Sequence, residues 1–465
     1  MKERKIVPPQ ELEAQKAYAR AVKDALGGRE MKYCIVTLGC QMNAHDSETI
    51  AGMLDEMGMT PTERREDADL VLYNTCCVRE NAENKAMGNV IWLKELKAVK
   101  PDMIIGVGGC MMQEKGMLEK VASYPFIDLA FGTHNLHRLS ELLCHVIVEK
   151  KRAIEVLEDE GVVCEGLPVH RASRFMAYIN IMYGCNNFCS YCIVPYVRGR
   201  ERSRDMQNIL DEAQQLVDGG VQEIMLLGQN VNSYMGGGAH FAELLYRLDR
   251  MGVPRIRFMT SHPKDLSDEL IACYGELPHL CRQLHLPVQA GSNRILQQMN
   301  RHYTREKYLE LVERIRKVCP QVGLTTDLIV GFPGETLAEF EETVSLVEQV
   351  RYDSAFTFIY SPREGTLAAR MPDDTSAEEK SRRIQRLIDA QQKINFEVCT
   401  QQIGRTEEVL VESESARDAG CVCGKTGRGH MVNFAGDPSL IGRFAQVEIT
   451  SAGRNTLRGR LIAVR

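Results

Sequence analysis

Short apolar segments alternate with amphipathic helical stretches along most of the chain, and this alternation limits what it can fold into. In the amino-terminal part, the helical patterns lie at 46–58, 79–98, 112–122 and 136–149. The strand candidates there are Tyr33–Leu38, Leu70–Asn74, Ile104–Val107 and Asp128–Phe131. Strand and helix in regular alternation predict an α/β fold, here an open parallel sheet with helices on its faces.

A second series of the same kind follows, and a third pattern ends the chain. The strand candidates of the second series are Ala177–Met182, Glu223–Leu227, Arg255–Met259, Gln283–Leu286, Gly323–Ile329 and Ala355–Ile359. Six strands are too few for a closed eight-stranded barrel and predict a partial (β/α)6 barrel. The last segment has only short strand candidates, at Glu407–Glu412, His430–Phe434, Arg443–Ile449 and Leu457–Ala463. Strands separated by turns predict a small antiparallel β-barrel there.

These patterns divide the chain into a helical extension, three domains and one linker. The predicted bounds are 1–30 for the extension, 31–150 for the first domain, 151–173 for a charged linker, 174–396 for the partial barrel and 397–465 for the small barrel. The apolar fraction of 44% and charged fraction of 26% are typical of a soluble globular protein. Since no stretch resembles a signal peptide or a membrane span, we expect a cytoplasmic protein whose 16 cysteines are reduced.

Three cysteines with CxxxCxxC spacing, Cys185, Cys189 and Cys192, directly follow the first strand of the second series. Three thiolates in a short loop can ligate three irons of a [4Fe–4S] cluster and leave the fourth iron open. The usual occupant of the open iron is S-adenosylmethionine (SAM), whose reductive cleavage gives a 5′-deoxyadenosyl radical. A structural zinc site is the alternative, but zinc favours four ligands built from CxxC pairs.

Three further cysteines end successive strand candidates of the first series. Cys40, Cys76 and Cys110 are 36 and 34 residues apart, which matches one βαβ unit each time. In a parallel sheet, all three then emerge at the carboxyl edge, where α/β proteins place their ligands. We therefore predict a second [4Fe–4S] cluster with three protein ligands, the alternative being three small buried residues. Cys77 lies directly beside Cys76 and could replace it in a disturbed protein.

Polar residues at the strand ends of the partial barrel are candidates for contact with SAM. Gln229 and Asn230 follow the second strand, and Asp327 lies near the end of the fifth. Each could equally be an ordinary strand-end residue. His262 and His285 are left unassigned, because a histidine there is more often satisfied by its neighbours than bound to a ligand.

The charge distribution points to RNA. The net charge is −6, yet residues 417–465 contain eight Lys or Arg against three Asp or Glu. A small basic barrel suggests binding to RNA phosphates, with a solvated basic face as the alternative. The candidate RNA contacts are Arg198, Arg200, Lys425 and Arg428. Cys421 and Cys423 form a CxC pair that we interpret as plain thiols.

Several long motifs resemble those of the radical-SAM methylthiotransferases, over residues 32–465. The motifs are Leu38–Asn43, Asn74–Cys76, Gly108–Cys110, Gly184–Cys192 and Gly424–Arg428. The first domain resembles that family's methylthiotransferase domain, the second its radical-SAM domain and the third its TRAM domain. The residues Gln41-Met42-Asn43 resemble the tRNA-modifying members, whereas members that modify a ribosomal protein typically have Pro-Lys-Asn there.

The resemblance implies methylthiolation of N6-isopentenyladenosine at position 37 of tRNA, beside the anticodon. It implies two [4Fe–4S] clusters, on the two cysteine sets, with Cys76 rather than Cys77 as a ligand. One SAM would serve as methyl donor and one as radical source, and no catalytic residue is implied beyond the clusters. The implied partners are tRNA, an electron donor such as flavodoxin or ferredoxin, and iron–sulfur assembly proteins, with no membrane.

Three other functions stay open at this point. The acceptor could be a ribosomal protein side chain or threonylcarbamoyl-adenosine in tRNA. A non-catalytic iron–sulfur carrier or sensor that binds RNA is a third possibility. Two clusters that each leave an iron open argue against a carrier, because electron transfer has no use for an open iron.

Overall fold

The computed structural model describes residues 6–77, 80–158 and 161–465, leaving the side chains of 80–84 undescribed. Residues 1–5 of the predicted extension, the first residue of the predicted helix 79–98 and residues 159–160 of the predicted linker lie outside these ranges. The chain forms two compact units. The first unit contains the residues up to Ala172 together with Met182–Phe188 and Cys192–Arg204. The second contains Ser173–Ile181, Cys189–Tyr191 and Asp205–Arg465.

The first unit is built around a six-stranded parallel sheet. Its strands are β1 (Lys32–Leu38), β2 (Thr60–Pro61), β3 (Leu70–Thr75), β4 (Ile104–Gly109), β5 (Leu129–Phe131) and β6 (Ala153–Glu155), in the order β2-β1-β3-β4-β5-β6. Its helices are α1 (Pro9–Leu26), α2 (Gln41–Glu56), α3 (Glu80–Val99), α4 (Met117–Ala122) and α5 (Leu139–Ile147). The predicted α/β alternation is therefore confirmed.

Helices cover both faces of this sheet, as the side chains of β3 show. Leu70 and Leu72 pack in a core with α1, α2 and α5, while Val71 and Tyr73 pack in a second core with α3 and α4. Successive side chains of a strand point to opposite faces, so a strand that is apolar throughout must be covered on both.

Sequence patterns missed two strands of the sheet. β2 is only two residues long, and β6 lies in the segment predicted to be a linker. Charged neighbours, Lys151 and Arg152, precede β6 and mask its short apolar content. The segment that carries the CxxxCxxC motif begins with β7 (Met176–Asn180) in the second unit. The elements β8 (Met182–Tyr183), α6 (Val194–Val197) and β9 (Arg202–Ser203) then belong to the first unit, where β8 and β9 pair in antiparallel orientation.

The second unit contains the partial barrel and the carboxy-terminal strands. Its remaining strands before the last domain are β10 (Glu223–Leu227), β11 (Met235–Gly236), β12 (Ala239–His240), β13 (Ile256–Phe258), β14 (Gln283–His285), β15 (Gly323–Val330) and β16 (Ser354–Ile359). Its helices are α7 (Met206–Asp218), α8 (Phe241–Arg250), α9 (Asp268–Glu276), α10 (Asn293–Gln298), α11 (Arg305–Val318), α12 (Leu337–Val350) and α13 (Ala377–Thr400).

The predicted partial (β/α)6 barrel is confirmed. Its six principal strands form two parallel sheets, β13-β10-β7 and β14-β15-β16. The backbone of Ile256 in β13 exchanges hydrogen bonds with His279 and Cys281, just before β14, and so links the two sheets. All six strands therefore run in one direction, and their carboxyl ends share one side of this unit.

A closed five-stranded barrel ends the chain, as predicted; four of its strand pairs are antiparallel and one is parallel. Its strands are β17 (Thr406–Glu414), β18 (Cys421–Thr426), β19 (Met431–Ala435), β20 (Phe444–Ala452) and β21 (Thr456–Val464). The sequence patterns missed β18, since glycine and cysteine at its centre give little apolar signal. They also missed that α13 continues through the predicted boundary at 396/397 to Thr400. Within the described residues, no helix is long and apolar enough to cross a bilayer.

Candidate functional site

Cys40, Cys76 and Cys110 follow three adjacent strands. The strands β1, β3 and β4 are paired in register so that Leu38, Thr75 and Gly109 lie side by side. Each of the three cysteines comes one or two residues later, at the carboxyl edge of the sheet. The structure thus brings the three predicted ligands to one edge, where α/β folds bind their ligands.

Close backbone packing explains one glycine of this edge. Gly109 has φ of 100°, a conformation that side chains rarely adopt. A Cβ atom on Gly109 would lie 2.5 Å from the carbonyl oxygen of Thr75. Only glycine therefore lets β4 approach β3 this closely just before Cys110.

A buried amide connects the cysteine-bearing segments. Asn43 in the first turn of α2 is fully buried, and its Oδ1 accepts hydrogen bonds from the Cys40 backbone N–H (3.3 Å) and thiol (3.4 Å). Its Nδ2 donates to the carbonyl oxygen of Thr75 (3.3 Å) and lies 4.0 Å from the Cys110 sulfur. Asn43 belongs to the motif Leu38–Asn43, and its place three residues after Cys40 is the one sequence signal of this positioning role.

The surroundings of Cys110 favour a thiolate. The Cys77 thiol donates a hydrogen bond to Cys110, and Arg198 Nε donates another over 3.0 Å. That hydrogen bond from Cys77 and the charge of Arg198 lower the pKa of Cys110 to about 6, against the effect of its burial. The same hydrogen bond, with burial, raises the pKa of Cys77 well above its usual value. A thiolate is the form that ligates iron.

The CxxxCxxC motif is divided between the two units, with Cys185 and Cys192 in the first and Cys189 in the second. In the first unit, the Cys185 N–H donates to the carbonyl oxygen of Gly199 over 3.1 Å. In the second unit, the buried Arg301 donates from Nη1 to the Cys189 sulfur over 3.3 Å. Arg301 is held there by further bonds to the Tyr303 hydroxyl and the carbonyl oxygen of Pro287.

Helix α6 connects the motif to the other cysteine set within the first unit. It begins two residues after Cys192, and Ile193 and Val197 form an apolar cluster with Cys77 and Cys110. The residue next to Cys192 therefore packs against Cys110. No three His, Cys, Asp or Glu side chains among the described residues converge as a single metal ion would require. A cubane cluster binds each thiolate at a separate iron, so its ligands need not converge on one point.

Comparisons with known proteins decide the family. Protein-family models match residues 32–132 (Uncharacterized protein family UPF0004), 179–347 (Radical SAM superfamily) and 400–462 (TRAM domain). The tRNA-2-methylthio-N(6)-dimethylallyladenosine synthase of Thermoanaerobacter sp. (strain X514) is 50% identical over 463 residues, covering 98% of each chain. The synthase of the same name from Alkaliphilus oremlandii (strain OhILAs) is 48% identical over 462 residues, again 98% of each. The chain belongs to the radical-SAM methylthiotransferase family.

The fold agrees with this membership. The radical S-adenosylmethionine methyltransferase TsrM from Kitasatospora setae superposes with a TM-score of 0.53, covering 73% of this chain and 77% of that one. The two chains are 17% identical, so the likeness concerns the fold alone.

Buried polar atoms line the strand ends of this methylthiotransferase-family barrel. After β10, Asn230 is 1% exposed; its Nδ2 donates to Asp265 over 2.7 Å, while its Oδ1 has no partner within the described residues. Gln229 beside it is half-buried. Asp327 lies in the middle of β15 rather than near its end, because that strand continues to Val330. Its carboxylate is 3.5 Å from Nε2 of His285.

The loop after β13 adds residues that sequence analysis did not place in the site. Ser261 and His262 are buried, and the Ser261 hydroxyl and His262 Nε2 lack partners among the residues described. His262 Nδ1 accepts from the Lys264 N–H (3.3 Å), so a neutral ring carries its proton on Nε2. Burial and then the charge of Arg301 lower the pKa of His262 to about 2. His262, which the sequence left unassigned, is thus a neutral donor. Thr260 precedes it at φ 70°, a strained conformation often found at functional sites.

Two of the four predicted RNA contacts have side chains that are already engaged inside the protein. Arg198 is 5% exposed and pairs with Asp46, and Arg428 binds the buried Asp353 through both Nε (2.6 Å) and Nη2 (3.2 Å). Their donors are used inside the protein, which leaves little for a phosphate. Lys425 lies on β18 and pairs with Glu412 over 3.2 Å, but its side chain is 38% exposed.

Arg200, by contrast, suits an RNA contact. It is exposed, and its guanidinium lies 4.2 Å from the ring centre of Phe188. The ring of Phe188 meets that of Tyr196 edge-on, with centroids 6.0 Å apart, and Tyr196 is 48% exposed. An exposed cation next to an aromatic pair, of which Tyr196 is exposed and Phe188 half-buried, is a combination that suits unpaired bases.

Proposed function

We propose that this protein is a tRNA methylthiotransferase of the tRNA-2-methylthio-N(6)-dimethylallyladenosine synthase type. It would replace the C2 hydrogen of N6-isopentenyladenosine 37 with a methylthio group. The observation that carries the proposal is the pair of three-cysteine sets, connected through α6 in the first unit. Relatives of that name at 50% and 48% identity over almost the whole chain support the same substrate.

The six cysteines would hold two [4Fe–4S] clusters, one on Cys40, Cys76 and Cys110 and one on Cys185, Cys189 and Cys192. The fit is supported by cationic donors at a sulfur of each set, Arg198 at Cys110 and Arg301 at Cys189. Hydrogen bonds and positive charge at the sulfurs stabilise the thiolates that iron requires. When bound, the clusters and SAM supply the electron, the radical and the transferred sulfur. The C2–H group of adenine is not acidic, and its hydrogen is not a leaving group. Replacement of that hydrogen by a methylthio group therefore needs a radical.

The strand ends of the partial barrel would bind SAM. Asn230, Ser261 and His262 each present a buried polar atom that has no partner in the described part of the chain and that a polar ligand would satisfy. Gln229 lies beside Asn230 and stays a candidate. Asp327 stays a candidate for contact with SAM because its carboxylate is half-buried, although it lies nearer the middle of β15 than we expected.

Binding of tRNA would involve Arg200 and Lys425, with Phe188 and Tyr196 available for stacking on an unpaired base. The match to the TRAM domain and the basic carboxy-terminal barrel support an RNA substrate. The reaction requires a one-electron donor, for which we expect flavodoxin or ferredoxin, and iron–sulfur assembly proteins to load the clusters.

The test is mass spectrometry of nucleosides from tRNA that carries the isopentenyl modification. The tRNA is incubated anaerobically with reconstituted protein, SAM and a reductant. The 2-methylthio nucleoside should form, disappear in Cys40→Ala and Cys185→Ala variants, and persist in the control Cys421→Ala. Product on threonylcarbamoyl-adenosine or on a ribosomal protein instead would reassign the acceptor. Absence of both product and 5′-deoxyadenosine would favour a non-catalytic carrier.

A further inference from the structure

Arg198 occupies an unusual position for an arginine. It is 5% exposed, and its Nη2 donates to a carboxylate oxygen of Asp46 over 2.7 Å. Asp46 lies on α2 and is itself 7% exposed. Burial of an ion pair is costly and by itself is weak evidence for a role in stability. The pair therefore calls for another explanation.

The explanation lies in the second partner of Arg198, the Cys110 sulfur. The Nε of Arg198 donates to the Cys110 sulfur over 3.0 Å while Nη2 holds Asp46, so one planar guanidinium is fixed between a carboxylate and a predicted iron ligand. Asn43 and Cys77 also contact that sulfur, but both are neutral donors. Arg198 is the cationic donor to the Cys110 sulfur among the described contacts.

We propose that Arg198, held in place by Asp46, is a positioning residue that orients Cys110 and tunes the reduction potential of the cluster on Cys40, Cys76 and Cys110. The inference rests on the proposed function, because it requires that this set hold a cluster. Reduction adds a negative charge to the cluster. A buried cation and a hydrogen bond at the ligating sulfur stabilise the reduced state and raise the potential. Asp46 acts in the opposite direction, because its negative charge lies on the far side of the guanidinium.

A second arginine of the same segment supplies the control. Arg204 is also buried, and its Nε binds Glu165 over 2.7 Å. This pair resembles Arg198–Asp46 in charge and in the burial of its arginine, although Glu165 is more exposed than Asp46. If Arg198 and Arg204 only anchored the segment 192–204, substitution of either arginine should have the same effect on the cluster.

The experiment measures the midpoint potential of one cluster in the full-length chain. A Cys185→Ala/Cys189→Ala/Cys192→Ala background leaves only the set of Cys40, Cys76 and Cys110, and the reconstituted cluster is titrated with dithionite under EPR detection. Arg198→Gln should lower the midpoint potential, and Asp46→Asn should raise it. Arg198→Lys keeps the charge and should lie between the wild type and Arg198→Gln. Arg204→Gln should leave the potential unchanged.

The outcomes distinguish the proposed cluster ligation by Cys40, Cys76 and Cys110 from the role proposed for Arg198. A background chain that retains Arg198 but binds no iron would overturn the proposed cluster ligation, and the inference with it. A bound cluster whose potential does not fall in Arg198→Gln would overturn the inference alone. So would equal shifts in Arg198→Gln and Arg204→Gln. If Arg198→Gln does not hold a cluster, Arg198→Lys decides, since a potential equal to or above the wild-type value would refute the assigned role.

Discussion

A buried carboxylate at the start of β16 should decide whether the turn between β18 and β19 stays folded. Asp353 has a side chain that is 5% exposed, and it accepts two hydrogen bonds from Arg428 and one from the Leu324 N–H. His430 Nε2 lies 3.0 Å from the same carboxylate. We expect Asp353→Asn, which keeps the shape and removes the charge, to destabilise this turn.

The magnitude follows from the burial of the partners. Breaking a buried ion pair by removing one partner costs about 3–5 kcal/mol. The lower end applies here, because Arg428 is 18% exposed and the asparagine oxygen can still accept from Leu324. A loss of about 3 kcal/mol corresponds to roughly a hundredfold change in an equilibrium constant at 1.4 kcal/mol per tenfold.

Native-state hydrogen exchange of the Thr426 N–H, which donates to the carbonyl oxygen of His430 over 3.0 Å, reports this opening. Its protection should fall about a hundredfold in Asp353→Asn, by the ratio just derived. In the control Glu448→Gln, which breaks the exposed pair with Arg460, protection should change by less than about fivefold. A loss of protection below about tenfold in Asp353→Asn would refute the reasoning about the buried charge.

The remaining predictions concern pH, SAM and RNA. The hydrogen bonds from His430 and Arg428 lower the pKa of Asp353 despite its burial, so its stabilising contribution is present above its unfolded pKa. That contribution should be lost as the pH falls through the folded pKa, visible as lower protection of the Thr426 N–H; unchanged protection would contradict the assignment. His262→Phe should weaken SAM binding in calorimetry by about two- to tenfold, the net value of one hydrogen bond. The half-buried His279, whose ring pairs with Asp249, supplies the control, and His279→Phe should not weaken SAM binding. Arg200→Gln should reduce the salt dependence of tRNA binding by about one unit of slope in a log–log plot; an unchanged slope would exclude a phosphate contact.

Periodicity predicted the sheet and both barrels because burial repeats along long elements. The central strands β3 and β4 are buried along their whole length, as expected for strands covered on two faces. The strands β6 and β18 were not predicted, because they are only three and six residues long. The charged residues beside β6 and the glycine and cysteines within β18 hide the alternation of apolar and polar residues. The predicted domain boundary at 396/397 falls inside α13, because no feature of the helix sequence shows that the helix continues to Thr400.

The candidate site, too, was predicted from the sequence only in part. Cysteine spacing alone placed Cys40, Cys76 and Cys110 at adjacent strand ends, because chain distance translates directly into strand order in a βαβ series. The role of Arg198 could not be predicted. Six residues after Cys192, it looks like one of four arginines on a surface loop, and only the packing of α6 on Cys77 and Cys110 directs it inward. His262 could not be assigned for a similar reason, since no local pattern shows that its Nε2 lacks a partner among the described residues.

The length of α13 has a consequence for building chimeras of this enzyme family. Near its start, Arg383 binds Glu335 at the edge of the partial barrel, and near its end Cys399 is buried in the core of the closed barrel. One rigid rod thus carries residues of both cores, with no loop between them at which sequences could be exchanged. A carboxy-terminal barrel borrowed from a relative should therefore function only when the crossover point precedes Ala377, so that rod and barrel are inherited together.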